Sequence, residues 1–210
     1  MTVGQQRAWD THWARLGREI KDLPPGPVEL VEWFGRSAPV LLEIGSGMGE
    51  TTAQLAFAAP EVNYLAVEVY PPGLGQLMLR AESLGLTNLR LLRGDAVELL
   101  ERHVEPGTLA GVRVFFPDPW PKKRHHKRRL IQSTFVSLLA SRLAVGGTLH
   151  MATDWAGYGE QMLTVASAEP LLRNRFAGYA PRPEWRPVTK FESRAREEGR
   201  PSVDLIFERV

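Results

Sequence analysis

Pro39-Val40-Leu41-Leu42-Glu43-Ile44 is a short apolar run that empties into Gly45-Ser46-Gly47-Met48-Gly49. An apolar run bounded by glycines reads as a buried strand entering a tight turn. The residues after it, Glu50 to about Ala59, have helical spacing, so the unit is strand, glycine loop, helix. The pattern then repeats. A strand at Tyr64-Leu65-Ala66-Val67-Glu68 precedes a helix from Leu74 to Leu84. A strand at Leu89-Arg90-Leu91-Leu92 precedes a helix from Ala96 to His103, and Val112-Arg113-Val114-Phe115-Phe116 follows as a strand. A helix through Leu130, Ile131, Phe135, Leu138, Leu139 and Leu143 ends at Gly146-Gly147, and Thr148 to Ala152 is the next strand. Such alternation implies an α/β fold, Rossmann-like, with a mostly parallel sheet and helices on both faces. The closing strand, Val203 to Phe207, is expected to be antiparallel.

Upstream, Trp9, Trp13, Leu16 and Ile20 recur at helical spacing, and Pro24-Pro25-Gly26-Pro27 breaks the pattern. Residues 1–35 therefore read as a helical flank to a single domain covering 1–210. The length of 210 residues suits one core. With no cysteine, disulfides and thiolate metal sites are excluded, and no metal is expected. The N-terminus lacks a signal-type apolar core and no segment has the length of a membrane span, which predicts a cytoplasmic protein. A formal net charge of +2 means that any anion-binding surface must come from uneven distribution.

In an open α/β sheet, ligands bind beyond the carboxyl ends of the strands, and here those positions carry acids. Gly45, Gly47 and Gly49 let a ligand approach the backbone at a helix start. A dinucleotide fingerprint wants glycine or alanine where Glu50 stands, which argues against an NAD enzyme. Glu43 can meet an ammonium group, Glu68 can accept from both hydroxyls of a ribose, and Asp95 from an adenine amine. Together they describe an adenosine site with an ammonium nearby, as in S-adenosylmethionine. Each has a blander reading too; Asp95 is a natural helix cap.

The fourth strand ends in Phe116-Pro117-Asp118-Pro119-Trp120-Pro121, where prolines forbid a continued strand. A carboxylate held between prolines beside an indole suits a planar heterocycle, with core filling as the alternative for Trp120. Lys122-Lys123-Arg124-His125-His126-Lys127-Arg128-Arg129 follows and is expected to open a helix. Cations there oppose the helix dipole, which points to a polyanionic partner. Asp154 ends the next strand and is also a natural cap. Thr189-Lys190-Phe191-Glu192-Ser193-Arg194 alone would pass for a polar loop.

The segments Glu43–Gly49, Glu68-Val69-Tyr70-Pro71-Pro72-Gly73, Asn88–Asp95, Phe116–Arg129 and Thr189–Arg194, in this order and spacing, resemble the bacterial tRNA (guanine-N7-)-methyltransferases, the TrmB family. The run from Pro117 to Arg129 is the most specific of them, and only about the first 35 residues lie outside the likeness. The resemblance implies a class I, S-adenosylmethionine-dependent fold and methylation of N7 on guanosine 46 in the variable loop of tRNA. It implies that Glu43, Glu68, Asp95 and Asp118 contact the cofactor, with Asp118 also catalytic. Lys122, Asp154, Thr189, Lys190, Phe191 and Glu192 would hold the guanosine; Arg124, His125, His126, Lys127, Arg128 and Arg129 would meet the tRNA backbone. Two positions depart from the pattern: Ser46, where an aromatic is common, and Ala195, where glycine is usual. The rival readings are a methyltransferase for a small molecule or protein, which leaves the basic run unexplained, and an RNA-binding module with a vestigial cofactor pocket. Oligomeric state is left open.

Overall fold

The computed structural model describes residues 1–210 and forms one sheet from eight strands. In chain order these are β1 (Gly17–Glu19), β2 (Val40–Ile44), β3 (Asn63–Glu68), β4 (Leu89–Arg93), β5 (Leu109–Phe115), β6 (Leu143–Thr153), β7 (Leu172–Asn174) and β8 (Val203–Arg209). The helices are α1 (Val3–Leu16), α2 (Leu30–Phe34), α3 (Glu50–Ala58), α4 (Pro71–Ser83), α5 (Ala96–Arg102), α6 (Ser133–Arg142), α7 (Ala156–Ser167) and α8 (Lys190–Glu197). The strand order is β1-β4-β3-β2-β5-β6-β8-β7, parallel from β1 to β6 and antiparallel through β8 and β7. From β2 the chain winds outward to β3 and β4, then returns to lay β5 on the other side of β2. The topological switch point thus falls between β2 and β5, where such sheets open a crevice.

Alternate residues of each strand feed two cores. Leu65, Val67, Val112, Val114, Leu149, Met151, Leu205 and Phe207 face α5, α6 and α7. Tyr64, Ala66, Leu89 and Leu91 face α1, α3 and α4. The second face changes character beyond β5. Arg113 pairs across strands with His150, and Ala152 with Asp204, so these side chains stand together on one side of the sheet. The segment carrying Arg186 and α8 covers that polar stretch, as described below.

Four expectations are corrected. The N-terminal helix stops at Leu16, because Gly17 is extended and a Cβ there would lie 2.1 Å from the Trp13 ring. Gly17–Glu19 becomes an edge strand on β4, a three-residue strand with no apolar alternation to announce it. The basic run forms a 3₁₀ turn at Lys123–Arg128, and α6 starts only at Ser133, so the helix-dipole argument for its placement does not hold. The sixth strand begins at Leu143, with Gly146 and Gly147 inside it at an irregular register rather than ending the helix before it. No helix is long and apolar enough to cross a membrane.

Glycine is required most strictly where α4 meets the glycine loop. A Cβ on Gly73 would sit 2.2 Å from the Gly47 carbonyl oxygen, a backbone atom that cannot swing away. Gly157, in α7, has nothing within 4 Å of its Cβ position. In urea unfolding, Gly73→Ala should lose about 1–3 kcal/mol, whereas Gly157→Ala should gain up to about 1 kcal/mol from helix propensity. Equal effects at both sites would contradict this packing.

Candidate active site

The glycine loop after β2 forms one wall of the crevice. Gly45, Gly47 and Gly49 have φ of 77°, 54° and 70°. At Gly45 and Gly47 a Cβ would meet nothing, so conformation alone demands glycine; at Gly49 a Cβ would also strike Leu77 at 2.5 Å. Beneath the loop, Glu43 is 4% exposed, and its Oε2 has no hydrogen-bond partner, nor do Ser46 Oγ and Thr52 Oγ1. Burial raises the Glu43 pKa to about 7, with the nearby Thr52 hydroxyl and Arg113 guanidinium pulling the other way without cancelling it. Glu43, the loop, Phe115, Phe116, Thr189, Lys190 and Phe191 enclose a pocket.

Glu68 stands where expected, at the end of β3, and already has local work. Its Oε2 accepts from the Gly47 amide at 2.7 Å, and its Oε1 from the amides of Val69 and Tyr70 at 2.7 and 3.0 Å. It thereby ties the glycine loop to the neighbouring strand end. Asp95 caps α5, accepting from the Val97 amide at 2.7 Å, and opens on a separate cleft with Val69 and Gly94. The capping reading therefore describes its observed bond, and its other oxygen remains available.

A second pocket adjoins the first, sharing Phe116 and Phe191, and adds Pro117, Asp118, Pro119, Asp154, Arg194, Glu198 and Arg200. Asp118 is exposed between its prolines. Phe116 has φ of 52° and Trp120 φ of 43°, so the turn is held in a left-handed conformation at both ends of Asp118. Such strain in non-glycine residues gathers at functional sites. The Trp120 ring is covered by the Arg128 guanidinium at 4.9 Å and meets the His125 ring edge-on at 5.9 Å. Trp120 thus packs against the basic turn, while Phe191 is 67% exposed.

Of the basic run, Lys122, Lys123, Arg124, Lys127 and Arg128 are exposed, His125 and His126 are half-buried, and none forms an ion pair with a carboxylate. Lys122 lines neither pocket. Arg129 departs from expectation. It is 3% exposed and donates to the Pro119 carbonyl at 2.8 Å, to Gln161 Oε1 at 2.8 Å and to the Gly157 carbonyl at 3.2 Å. A guanidinium spent this way braces the Asp118 turn against α7 and cannot also reach a phosphate.

Glu192 is the second departure. It is fully buried, with Oε2 accepting from Arg186 at 2.8 Å and Oε1 from Arg182 at 2.8 Å and Arg196 at 2.6 Å. Arg186, also fully buried, reaches Asp204 at 2.8 Å, and Asp204 bonds His150 at 2.7 Å. Burial alone would raise the Glu192 and Asp204 pKa values, but Arg186 and their other partners hold both below the usual range. Burial lowers that of His150, which Asp204 only partly restores. Glu192 thus fixes α8 to the sheet and leaves no oxygen free for a guanine. Thr189 caps α8 by accepting from the Glu192 amide at 3.0 Å. Lys190 and Phe191, on the same first turn, are exposed toward the pocket. The sequence reading missed Phe116, Glu198 and Arg200; only the strand end at Phe116 carried a signal.

A glycine-walled pocket at the switch point, with an unpartnered buried acid, on this sheet order defines a Rossmann-like methyltransferase of class I. The family model described as "Putative methyltransferase" matches residues 37–205. Among curated proteins, the chain is 53% identical over 205 residues to a tRNA (guanine-N(7)-)-methyltransferase of Bordetella pertussis, covering 98% of this chain and 81% of that protein. It is 51% identical over 212 residues to one of Streptomyces coelicolor, covering 100% and 78%. Among solved structures, the 16S rRNA methyltransferase KamB superposes with a TM-score of 0.64 at 14% identity, over 87% of this chain and 93% of that one. TrmN from Thermus thermophilus gives 0.59 at 18% identity, over 86% and 47%. These two share the fold. The chain belongs to the tRNA (guanine-N7-)-methyltransferase family.

The raised Glu43 pKa sets the sign of a pH effect. Between its ordinary value of 4.5 and about 7 the folded protein holds a proton that the unfolded chain releases. Stability from this group is therefore full below about pH 4.5 and is lost as pH rises toward about 7. Urea unfolding of Glu43→Gln should lack this decline, so the variant gains on the parent as pH rises from about 4.5 to about 7. Parallel pH profiles would contradict it.

Proposed function

We propose that the protein transfers the methyl group of S-adenosyl-L-methionine to N7 of guanosine 46 in the variable loop of tRNA. The observation that carries this reading is the pair of pockets meeting at Phe116 and Phe191, one walled by glycines and the other by Asp118 and Asp154, with an unpaired basic turn alongside. The glycine pocket fits the cofactor: Glu43 offers an unpartnered carboxylate oxygen to its ammonium group, and the Gly45 and Gly47 backbone is open to close approach. Glu68 and Asp95, at adjacent strand ends, would take the ribose and adenine. When bound, the cofactor supplies an electrophilic sulfonium methyl. The flank of residues 1–35 packs on the same body through α1 against α4 and β1 against β4, which supports one methyltransferase domain. A tRNA substrate supports a cytoplasmic location.

Guanine N7 is an acceptor without a proton, so no general base is needed. The task of the chain is orientation, which can contribute on the order of 7–11 kcal/mol in well-aligned cases. The target base leaves its stack to enter a pocket of this kind and is read there by stacking and edge contacts. Phe191 provides the stacking face. As the ring gains positive charge, the Asp118 carboxylate, held in place by the strained turn, is stabilised against it without moving a proton. Lys122 and Lys190 would meet the phosphates flanking the base.

Methyl transfer from labelled cofactor to unmodified tRNA, followed by nucleoside digestion and mass spectrometry, should yield 7-methylguanosine; another methylated nucleoside would overturn the reading. Asp118→Asn should lower kcat by about 100-fold at saturating cofactor, by analogy with the removal of one electrostatic group from a site. Full turnover would remove Asp118 from the chemistry. Replacing Arg124, Lys127 and Arg128 together by Ala should weaken tRNA binding and flatten the plot of log affinity against log salt by about 0.7–0.9 for each phosphate that is no longer neutralised. An unchanged slope would take the turn out of the interface.

A further inference from the structure

Adenine also carries an N7 acceptor, so N7 alone cannot tell the two purines apart. The choice has to be made at the neighbouring positions of the ring, where guanine shows the O6 acceptor and then the N1–H donor, while adenine shows the reverse, an amine and then a bare nitrogen. The second pocket contains one pair of side chains with the complementary order. Arg200 donates to Asp154 Oδ2 through Nε at 3.1 Å and Nη2 at 2.9 Å, and through Nη1 to Glu198. A guanidinium has five N–H groups, so two remain uncommitted. Asp154 Oδ1 accepts from no protein group. A donor and an acceptor therefore stand side by side on the pocket wall, with side chains 36% and 19% exposed.

The backbone holds Arg200 in this place. Gly199, with φ of 71°, reverses the chain at the end of α8, its amide bonds the Arg196 carbonyl at 3.0 Å, and the Arg200 amide bonds the Ala195 carbonyl at 2.8 Å. A half-exposed ion pair contributes little to stability by itself. Arg194–Glu198 and Arg200–Glu198 lie on the same wall, but they occupy both Glu198 oxygens; of these pairs, only Arg200–Asp154 keeps a carboxylate oxygen without a protein partner beside a free N–H. Resting on the reading of the protein as a guanosine N7 methyltransferase, we infer that Arg200 is a specificity residue, donating to guanine O6 while Asp154 Oδ1 accepts from N1–H. Adenine would set amine against guanidinium and N1 against carboxylate.

The test uses tRNA transcripts carrying either guanosine or 2-aminopurine at the target position; 2-aminopurine keeps N7 and the 2-amino group but lacks O6 and N1–H. Single-turnover transfer with excess enzyme is followed for the parent and for Arg200→Met. The parent should prefer guanosine. Arg200→Met should lose about tenfold to a hundredfold on guanosine, the range of one good base contact, yet be almost unchanged on 2-aminopurine. Arg200→Gln, which keeps a donor, should fall between them. Cofactor affinity and the thermal midpoint, measured alongside, should stay near the parent values. Equal losses on both transcripts, or no loss on guanosine, would overturn the role of Arg200. Absence of any 7-methylguanosine from the parent enzyme with cofactor bound would instead overturn the function on which it rests.

Discussion

The guanidinium of Arg186, completely withdrawn from water, is the bond on which the site's assembly depends. One side of it meets Glu192 at the base of α8 and the other meets Asp204 on β8. The sheet face beyond β5 presents Arg113, His150 and Asp204, and no long amphipathic helix covers it. What covers it is the segment from Arg182 to α8, joined by the buried ion pairs and by the Trp185 ring, which packs against His150 and Arg113. Removing one partner of such a buried pair costs about 3–5 kcal/mol, because the remaining charge is left without compensation. Since Thr189, Lys190 and Phe191 line the glycine pocket and Phe191 and Arg194 the second, this ionic joint makes two clefts into one site.

How far each feature could be read in the sequence follows from how local its cause is. The strand–helix alternation from Val40 to Ala152 was legible because buried parallel strands are apolar runs and the covering helices are periodic. The edge strand at Gly17–Glu19 was not, since three residues without alternation become a strand only through pairing with β4. β7, at the opposite edge, is equally short. The docking of α8 was hidden for a further reason. A polar segment reads as a loop until its carboxylate finds Arg186 and Arg182, residues with no periodic signature of their own.

The acids divide on the same principle. Glu43, Asp118 and Asp154 were placed by strand ends in the sequence, and in the structure each has an unpartnered or exposed carboxylate oxygen facing the pockets. Glu68 and Asp95 lie at the expected strand ends, and their chief observed bonds are to backbone amides. Glu192 and Arg129 sit within motif-like runs whose other members are exposed or half-buried. A motif records that a residue type is needed, and only the fold shows whether it faces a ligand or a neighbour. Both of these face neighbours, and both hold in place a segment whose adjacent residues face the pocket.

The most direct measurement of this joint is native-state hydrogen exchange of the α8 backbone amides in the parent and in Arg186→Met, at a denaturant concentration where the sheet remains folded in both. Amides of α8 should be protected in the parent and exchange freely in the variant, while those of β2, β3 and β5 keep their protection. Equal protection of α8 in the two proteins would show that something other than the buried ion pairs holds it in place. The ionic assembly of the site would then be contradicted.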